Sequence, residues 1–120
     1  MLSYRLRHRI TFERPVHIKN EETGSVRTVW EVAIVGGKPM VDVPAEVLTG
    51  AGRELMAADA RQAQTTARIN LRWFPVDRLE LAKWRILWDG RQLGIVSAET
   101  DITARREWRL RCEDGVRDKT

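Results

Sequence analysis

Histidine and cysteine, which often serve as general bases, nucleophiles or metal ligands, are few in this chain, and the two histidines are far apart. The chain has two histidines, His8 and His17, and one cysteine, Cys112. A single cysteine rules out an intrachain disulfide, and two distant histidines cannot complete a structural zinc site. His8 is in phase with apolar neighbours and is predicted to be a partly buried structural residue. Cys112 has the phase of a small core residue.

No motif supplies the missing chemistry. The serines lack the glycines of a nucleophile elbow, and neither glycine cluster precedes the Lys-Ser/Thr of a phosphate loop. The carboxylates are scattered, so a paired acid and base would need a convergence that no spacing indicates. We therefore predict no catalytic residues, no cofactor and no metal, and the chain is not expected to be an enzyme.

The composition is that of one small soluble domain. Of 120 residues, 42% are hydrophobic and 32% are charged, and no apolar run approaches the roughly 20 residues that span a bilayer. We expect a single domain over residues 1–115, a frayed tail at 116–120 and no membrane association. With 21 basic and 17 acidic residues the net charge is +4, which favours anionic partners.

Alternating apolar and polar residues predict strands along most of the chain. The first strand, over about 5–13, carries a candidate basic contact face made of Arg5, Arg7 and Arg9. A turn cluster at 20–25 separates it from a second strand, whose apolar face is predicted to run from Val26 to Ile34. The two strands indicate a hairpin with a polar tip.

The rest of the chain indicates more short strands. Similar alternation follows in four segments, at 40–48, 66–73, 93–95 and 107–112. Asp89-Gly90 indicates a tight hairpin turn, and Pro44 indicates an edge strand or a bulge. The apolar set that begins at Leu79 changes phase near Ala82, which indicates a bend or bulge. We predict a mainly β fold, a small antiparallel barrel or sandwich of six to seven strands, with one short helix in an insertion at about 50–65.

The aromatic residues and arginines tend to lie on opposite faces of these strands. All five tryptophans are in phase with aliphatic neighbours, so core packing is predicted for at least three of them. Trp84 and Trp88 share a face, and one of them could instead anchor a subunit interface. The separation disfavours a single-stranded nucleic-acid site built by stacking. Generic attraction to phosphate and ion pairing between subunits both stay open.

Residues 6–15, LRHRITFERP, closely resemble the opening of the phage head–tail joining family, whose members are also called head-closure or stopper proteins. The likeness continues in the family's order over nearly the whole chain. Its further segments are Glu22-Thr23-Gly24, Trp30, Ala45-Glu46-Val47, Thr49-Gly50, Arg53-Glu54, 66–72, Asp89-Gly90, Ile95 and 105–112. One departure is the stretch from Gly36 to Met40, which lengthens a connection that is usually short in the family.

The resemblance implies a β-barrel subunit of a tailed phage or prophage that forms a homo-oligomeric ring, commonly dodecameric, below the portal and its adaptor. Such a ring retains packaged double-stranded DNA, which it meets by non-specific proximity, and gives tail proteins a platform. The implied location is the virion head–tail junction, and the host cytoplasm during assembly. The family has no catalytic residues, so function is expected at subunit edges and in the insertion.

The insertion has a narrow apolar stripe and is predicted to be weakly anchored until a partner covers it. In a ring, we expect it to face the channel or a subunit interface. The candidate residues are Arg53, Glu54, Leu55, Met56, Asp59, Arg61 and Gln62.

A small basic barrel that binds nucleic acid is the alternative function, supported by the net charge and the arginine-bearing strands. Within the phage interpretation, a neighbouring connector position, such as the adaptor or the tail terminator, also stays open. The basic contact face could meet DNA or an acidic surface of the portal or adaptor.

Overall fold

A computed structural model describes residues 6–49 and 65–114. Within these ranges the chain forms nine strands and one short helix. They are β1 (His8–Lys19), β2 (Val26–Val32), β3 (Ile34–Val35), β4 (Lys38–Pro39), β5 (Val43–Thr49), β6 (Thr65–Arg72), α1 (Arg78–Leu81), β7 (Arg85–Trp88), β8 (Arg91–Thr100) and β9 (Glu107–Asp114).

Six of the strands close into an antiparallel barrel. Around it the order is β1-β5-β6-β9-β8-β7, and β7 returns to β1 with Phe12 opposite Ile86. β2 is an extra strand that pairs with β1 from Glu13 to Lys19, mostly beyond the part of β1 that lies in the barrel. The prediction of a mainly β fold, built as a small antiparallel barrel, is confirmed.

The two ends of the barrel differ. At one end β1 continues outward with β2 as a two-stranded arm, and the connections 33–42, 73–84 and 101–106 lie at this arm end. The opposite end, which we call the N-terminal end, holds residue 6, the turn between β7 and β8, and the end of β9. The connection between Thr49 and Thr65 therefore starts and finishes at the N-terminal end.

The interior of the barrel is filled by side chains from alternate strand positions, as the sequence period predicts. The largest fully buried side chains are Trp108, Phe12, Ile10, Ile69, Leu71, Leu81, Ile86, Leu93, Leu110 and Cys112. Burying one leucine or isoleucine stabilises the fold by roughly 1.5–3 kcal/mol. The indole of Trp108 donates a hydrogen bond to the carbonyl of Phe74 (2.9 Å), so its polar atom is satisfied.

Two hairpin turns depend on a left-handed backbone. Asp89 and Gly90 have φ angles of 55° and 74°, so the predicted tight turn between β7 and β8 is confirmed as type I′. Gly36 and Gly37, with φ angles of 60° and 82°, turn β3 into β4 in the same way. The glycine cluster that lengthens this connection therefore serves a turn.

The second strand is shorter than its apolar pattern predicts. β2 ends at Val32, and Ile34 lies exposed in β3 instead of sharing its face. The chain departs from the direction of β2 because the amide of Ala33 donates a hydrogen bond to the carbonyl of Phe12 (2.9 Å). The amide of Phe12 in turn donates to the carbonyl of Met40 (3.0 Å). The β3–β4 hairpin is thus inserted between β2 and β5.

Two other local predictions need correction. The predicted edge position of Pro44 is wrong, because β5 pairs with both β1 and β6. Proline fits as the second residue of a strand whose pairing with β1 spans only three residue pairs. The bend expected near Ala82 is the end of α1, a helix that the apolar pattern around Leu79 did not indicate. The side chain of Asp77 caps this helix by accepting a hydrogen bond from the amide of Leu79 (3.0 Å).

Candidate interaction surfaces

The two histidines lie nine positions apart on β1 and have different surroundings. His8 is half-buried and packs edge-on against Trp88, with 5.6 Å between ring centroids, as expected of a structural residue. His17 is exposed on the arm, where its Nδ1 lies 3.2 Å from the hydroxyl of Thr28. Within residues 6–49 and 65–114, no three His, Cys, Asp or Glu side chains are placed to hold a metal ion. The one helix in these ranges, α1, is too short to cross a membrane.

Cys112 is fully buried inside the barrel, as its phase predicts. Burial disfavours the thiolate and raises the pKa of Cys112 to about 12. The thiol is therefore protonated and inert at neutral pH, and it behaves as a small apolar core residue.

The basic contact face predicted on the first strand is partly described. Arg7 and Arg9 are exposed near the N-terminal end, and Arg9 lies opposite Pro44 of β5. Arg5 lies outside the described residues. The two described arginines therefore point away from the barrel interior, beside the end where residues 49 and 65 leave it.

A second set of exposed arginines lies on β6 and β9. Arg68 of β6 is directly opposite Arg111 of β9, and both side chains are exposed. Like charges directly opposite on neighbouring strands repel each other. In the described part of the chain, neither side chain forms an ion pair. This pair would be stabilised by an anionic group from a partner.

The candidate residues of the insertion lie outside the described residues, so their position stays a prediction. They are Arg53, Glu54, Leu55, Met56, Asp59, Arg61 and Gln62. The described strands fix only where this connection begins and ends, which is at the N-terminal end of the barrel.

Glu13, Arg85 and Trp30 connect the arm to the barrel wall, and we call this group the arginine clamp. Oε1 of Glu13 lies 2.7 Å from Nη2 of Arg85 and accepts a hydrogen bond from Nε at 2.8 Å. The guanidinium also lies over the ring of Trp30, 4.4 Å from its centroid. The side chains of Arg85 and Glu13 are only 17% and 15% exposed, so solvent screens this ion pair weakly.

The prediction that at least three tryptophans pack in the core is confirmed. Trp84 and Trp108 are buried, and Trp73 and Trp88 pack partly buried against the core. Trp30 differs, because it stacks on Arg85 at the base of the arm. Whether Trp84 or Trp88 anchors a subunit interface stays a prediction, although Trp84 reaches the cleft described below.

Exposed large apolar side chains concentrate at the arm end. They come from the arm, the inserted β3–β4 region, α1 and the β8–β9 turn. These residues are Ile18, Val26, Ile34, Val41, Leu79 and Ile102. Two further residues of this kind, Leu48 and Val96, lie on the barrel wall. Apolar surface gathered at one end is typical of a contact with another protein.

A cleft lies on the outer wall over Gly94 of β8, and we call it the Gly94 cleft. It has a volume of about 230 Å³, and its lining includes Trp30, Trp84, Arg85, Val96 and Glu113. Ordinary small-molecule sites have roughly 300–1,000 Å³. The cleft is therefore closer in size to a seat for one or two side chains of a partner.

Sequence reasoning missed the arginine clamp and the Gly94 cleft. Glu13 and Arg85 are 72 residues apart, and nothing in the sequence gives the register in which β1 meets β7. For α1 a signal does exist, because Asp77 and Glu80 have the spacing of a capping box. For the cleft, the sequence signal is Gly94, an isolated glycine within an apolar strand pattern, because such a glycine often marks a bulge or a site of close approach.

Comparisons with known proteins agree with this barrel. The family model for the phage head completion protein matches residues 1–115. The solution structure of protein SF1141 from Shigella flexneri 2a is similar, with a TM-score of 0.68 and 26% sequence identity. The match covers 98% of this chain and 100% of that one. A comparison with curated proteins found no match.

Proposed function

The chain belongs to the family of phage head completion proteins, and we propose that it closes the DNA-filled head as a ring below the portal. In this position the ring would retain the packaged DNA and provide the surface to which the tail attaches. The family makes it a structural protein of the phage head–tail junction. The ring, its place below the portal and its two tasks are the proposal.

The observation that supports this role best is the difference between the two ends of the barrel. The arm end carries a projecting hairpin and six exposed large apolar side chains. The N-terminal end carries Arg7 and Arg9, which are exposed, and both ends of the 50–64 connection. A subunit that lies between two different assemblies needs two docking ends of different chemistry, and this barrel has them.

The arm is suited to contact between proteins because it is anchored at its base and open along its edges. Among the strands that the structure describes, β2 pairs with β1 alone, so in this part of the chain its outer edge offers backbone hydrogen-bonding groups to another protein. An isolated two-stranded hairpin is marginally stable in water. We therefore propose that the arginine clamp holds the arm in place until a head or tail protein covers it.

The basic N-terminal end, together with the insertion, is proposed to face the DNA path. Arg7, Arg9 and the insertion leave the barrel on the same side, so a ring could turn all of them toward its channel. Arginines there would attract phosphate without reading sequence. Contact with an acidic portal or adaptor surface is the competing use of the same residues.

The test is addition of the purified full chain to DNA-filled heads that lack it. We expect the added protein to protect the packaged DNA from nuclease and to restore tail attachment. Negative-stain microscopy should show a ring at the portal vertex. If the heads stay leaky while the protein binds only to tails, the head-closure role is wrong and a tail-terminator role replaces it.

A nucleic-acid-binding module is the second candidate, favoured by the exposed pair Arg68 and Arg111. Trp84 and Trp108 are buried and the other three tryptophans are half-buried, so none is a free platform for stacking bases. Any binding would be to phosphates and would weaken steeply with salt. Submicromolar affinity of the monomer for free DNA, lost at high salt, would favour this candidate over head closure.

A further inference from the structure

The outer edge of β2 is open over the whole strand in the part of the chain that the structure describes, because β2 pairs there with β1 alone. Hydrogen bonds beyond the two ends of this pair show which groups face β1. The amide of Ala33 donates to the carbonyl of Phe12 (2.9 Å), and the amide of Asn20 donates to the carbonyl of Ser25 (2.7 Å). Since such bonds recur at every second position, the odd positions of β2 bond to β1, and the amides and carbonyls of its even positions point to the outer edge.

The other edge of the arm, on β1, carries residues that discourage pairing. Beyond Glu13, the last residue of β1 that pairs with β7, this edge includes Pro15 and Lys19. Proline has no amide to donate, and both residue types are common on edges that natural proteins keep unpaired. β2 has neither proline nor lysine. A partner strand is therefore expected on the β2 edge.

The sequence of β2 is complementary to itself when two copies run antiparallel. The strand reads Val-Arg-Thr-Val-Trp-Glu-Val, with Val29 at its centre. Pairing about this centre places Arg27 of each copy opposite Glu31 of the other, so two opposite-charge pairs form. Val29 meets its own counterpart, and Val26 meets Val32 at both ends. Opposite charges and β-branched side chains are favourable partners on neighbouring strands.

This register also agrees with the backbone of the open edge. It places Thr28 opposite Trp30 of the other copy, and both are even positions whose amides and carbonyls point outward. A slip by one residue would bring outward groups opposite groups that already bond to β1. A slip by two residues would keep the hydrogen bonds but place Val29 opposite either Arg27 or Glu31, so both charge pairs would be lost. The register with the charge pairs is therefore favoured.

The charged side chains of β2 are available for such pairs. Arg27 is exposed and forms no ion pair with an acidic side chain of the described residues. Glu31 has an ion pair within its own arm, but its Oε1 lies 3.9 Å from Nη2 of Arg14, and the two side chains are 53% and 48% exposed. Such a long, exposed contact contributes little. Arg14 lies on the β1 side of Glu31, so Arg27 of the other copy would approach from the opposite, outer side.

We propose that two copies of the free protein pair their β2 strands antiparallel and form a two-fold symmetric dimer through their arms. The contact satisfies the open backbone edges and covers Val26, which is 59% exposed. A two-fold axis points the two barrels in opposite directions, whereas the subunits of a ring share one direction. The dimer is therefore a form of the unassembled protein, and it would have to open before a ring is built.

The dimer is weak and reversible. It joins two strands of seven residues, whereas specific, stable interfaces use roughly 20–30 residues on each side. Its formation requires neither heads nor tails, so the inference goes beyond the proposed function and does not depend on it.

A cysteine at the centre of β2 tests the pairing directly. In V29C the two thiols face each other at a non-hydrogen-bonded pair, where Cα atoms lie about 4.5 Å apart, close enough for a disulfide. Cys112 is buried and protonated, so it does not take part. Under a mild oxidant we expect at least tenfold more disulfide-linked dimer from V29C than from the matched control V96C, whose site is exposed on the barrel wall outside the arm. Equal yields from the two variants would overturn the proposal.

Charge reversal tests the register. Sedimentation equilibrium of the unmodified protein should show a mass that rises with concentration toward twice the 13.9 kDa of one chain. Arg27→Glu and Glu31→Arg each put like charges opposite each other twice, so each variant alone should dimerise at least tenfold more weakly. Mixed in equal amounts, the two variants restore both opposite-charge pairs, and a heterodimer should form again. Arg68→Glu, which reverses an exposed strand arginine on the barrel wall, should leave dimerisation unchanged.

Two results of the sedimentation measurements would refute the pairing. One is an unmodified protein that stays monomeric at every concentration. The other is a mixture of the two charge variants that does not associate although both keep the circular dichroism of the parent. Protection of heads by a protein that never dimerises would remove this inference alone. Failure to protect heads by a protein that does dimerise would remove the head-closure role alone.

Discussion

Removing the guanidinium of the arginine clamp should destabilise the protein by more than the loss of an ordinary surface ion pair. Arg85→Met keeps most of the apolar contact of the side chain but leaves the Glu13 carboxylate, only 15% exposed, without its partner. Exposed ion pairs contribute about 0.2–1 kcal/mol, and breaking a fully buried one costs about 3–5 kcal/mol. At this burial we expect about 2 kcal/mol, plus about 0.5 kcal/mol for the lost contact with Trp30.

Urea unfolding followed by tryptophan fluorescence measures this loss. For a chain of this size, about 2.5 kcal/mol should lower the thermal midpoint by roughly 10 °C. A double-mutant cycle with Glu13→Gln and Arg85→Met isolates the pair, and its coupling energy is expected to be about 1.5–2 kcal/mol.

The matched control is the ion pair between Arg91 and Asp114. Its atoms are 3.1 Å apart, but its side chains are 53% and 34% exposed. The cycle with Arg91→Met and Asp114→Asn should give about 0.5 kcal/mol or less. If the two coupling energies are equal, burial does not strengthen the clamp and the argument for a fixed arm is wrong.

Three further outcomes follow from single sites. Cys112 should not react with thiol reagents at pH 8 until the protein unfolds, and labelling of the folded protein would contradict this. Because burial raises the pKa of Cys112 to about 12, the stability that the neutral thiol contributes should be fully present below about pH 8.5 and should decline as the pH rises toward 12. Gly90→Ala, at a φ of 74°, should cost about 1–2 kcal/mol, whereas Gly94→Ala in open space should be neutral or stabilising, as compared by urea midpoints. Hydrogen bonds from the amide of Ala104, and then from the hydroxyl and amide of Thr103, lower the pKa of Asp101. The Asp101 carboxylate should therefore stabilise the turn fully above about pH 3.9, and this stabilisation should be lost as the pH falls through the lowered pKa of the folded protein. An NMR titration of Asp101 with a midpoint above about 3.9 would refute this.

Local patterns predicted the strands because each barrel strand has one buried face. Ile69 and Leu71 on β6, and Leu110 on β9, point inward at every second position, so the period of two survives in the sequence. The turn at Asp89 and Gly90 was predictable because few residue types accept positive φ at both positions. These features depend on neighbours within a few residues.

What could not be predicted depends on pairing between distant strands. Ile34 has the phase of β2, but the backbone hydrogen bond from Ala33 to Phe12 turns the chain before it. The cleft exists because Gly94 lies between Arg85 and Glu113, and this register is a property of the closed barrel. The charges of single strands therefore predicted candidate surfaces, whereas the Gly94 cleft, which lies between three strands, could not be predicted in this way.

Closure of the barrel also sets the order in which the protein can fold during synthesis. The contact that closes it joins residues 72 positions apart in sequence, from Glu13 to Arg85. Folding slows as contacts become less local, and a ribosome adds about 5–20 residues per second. The first hairpin thus emerges several seconds before β7, with Ile10 and Phe12 uncovered and one edge of β1 unpaired. Chaperone supply and translation speed over this interval should therefore govern how much folded subunit a cell makes.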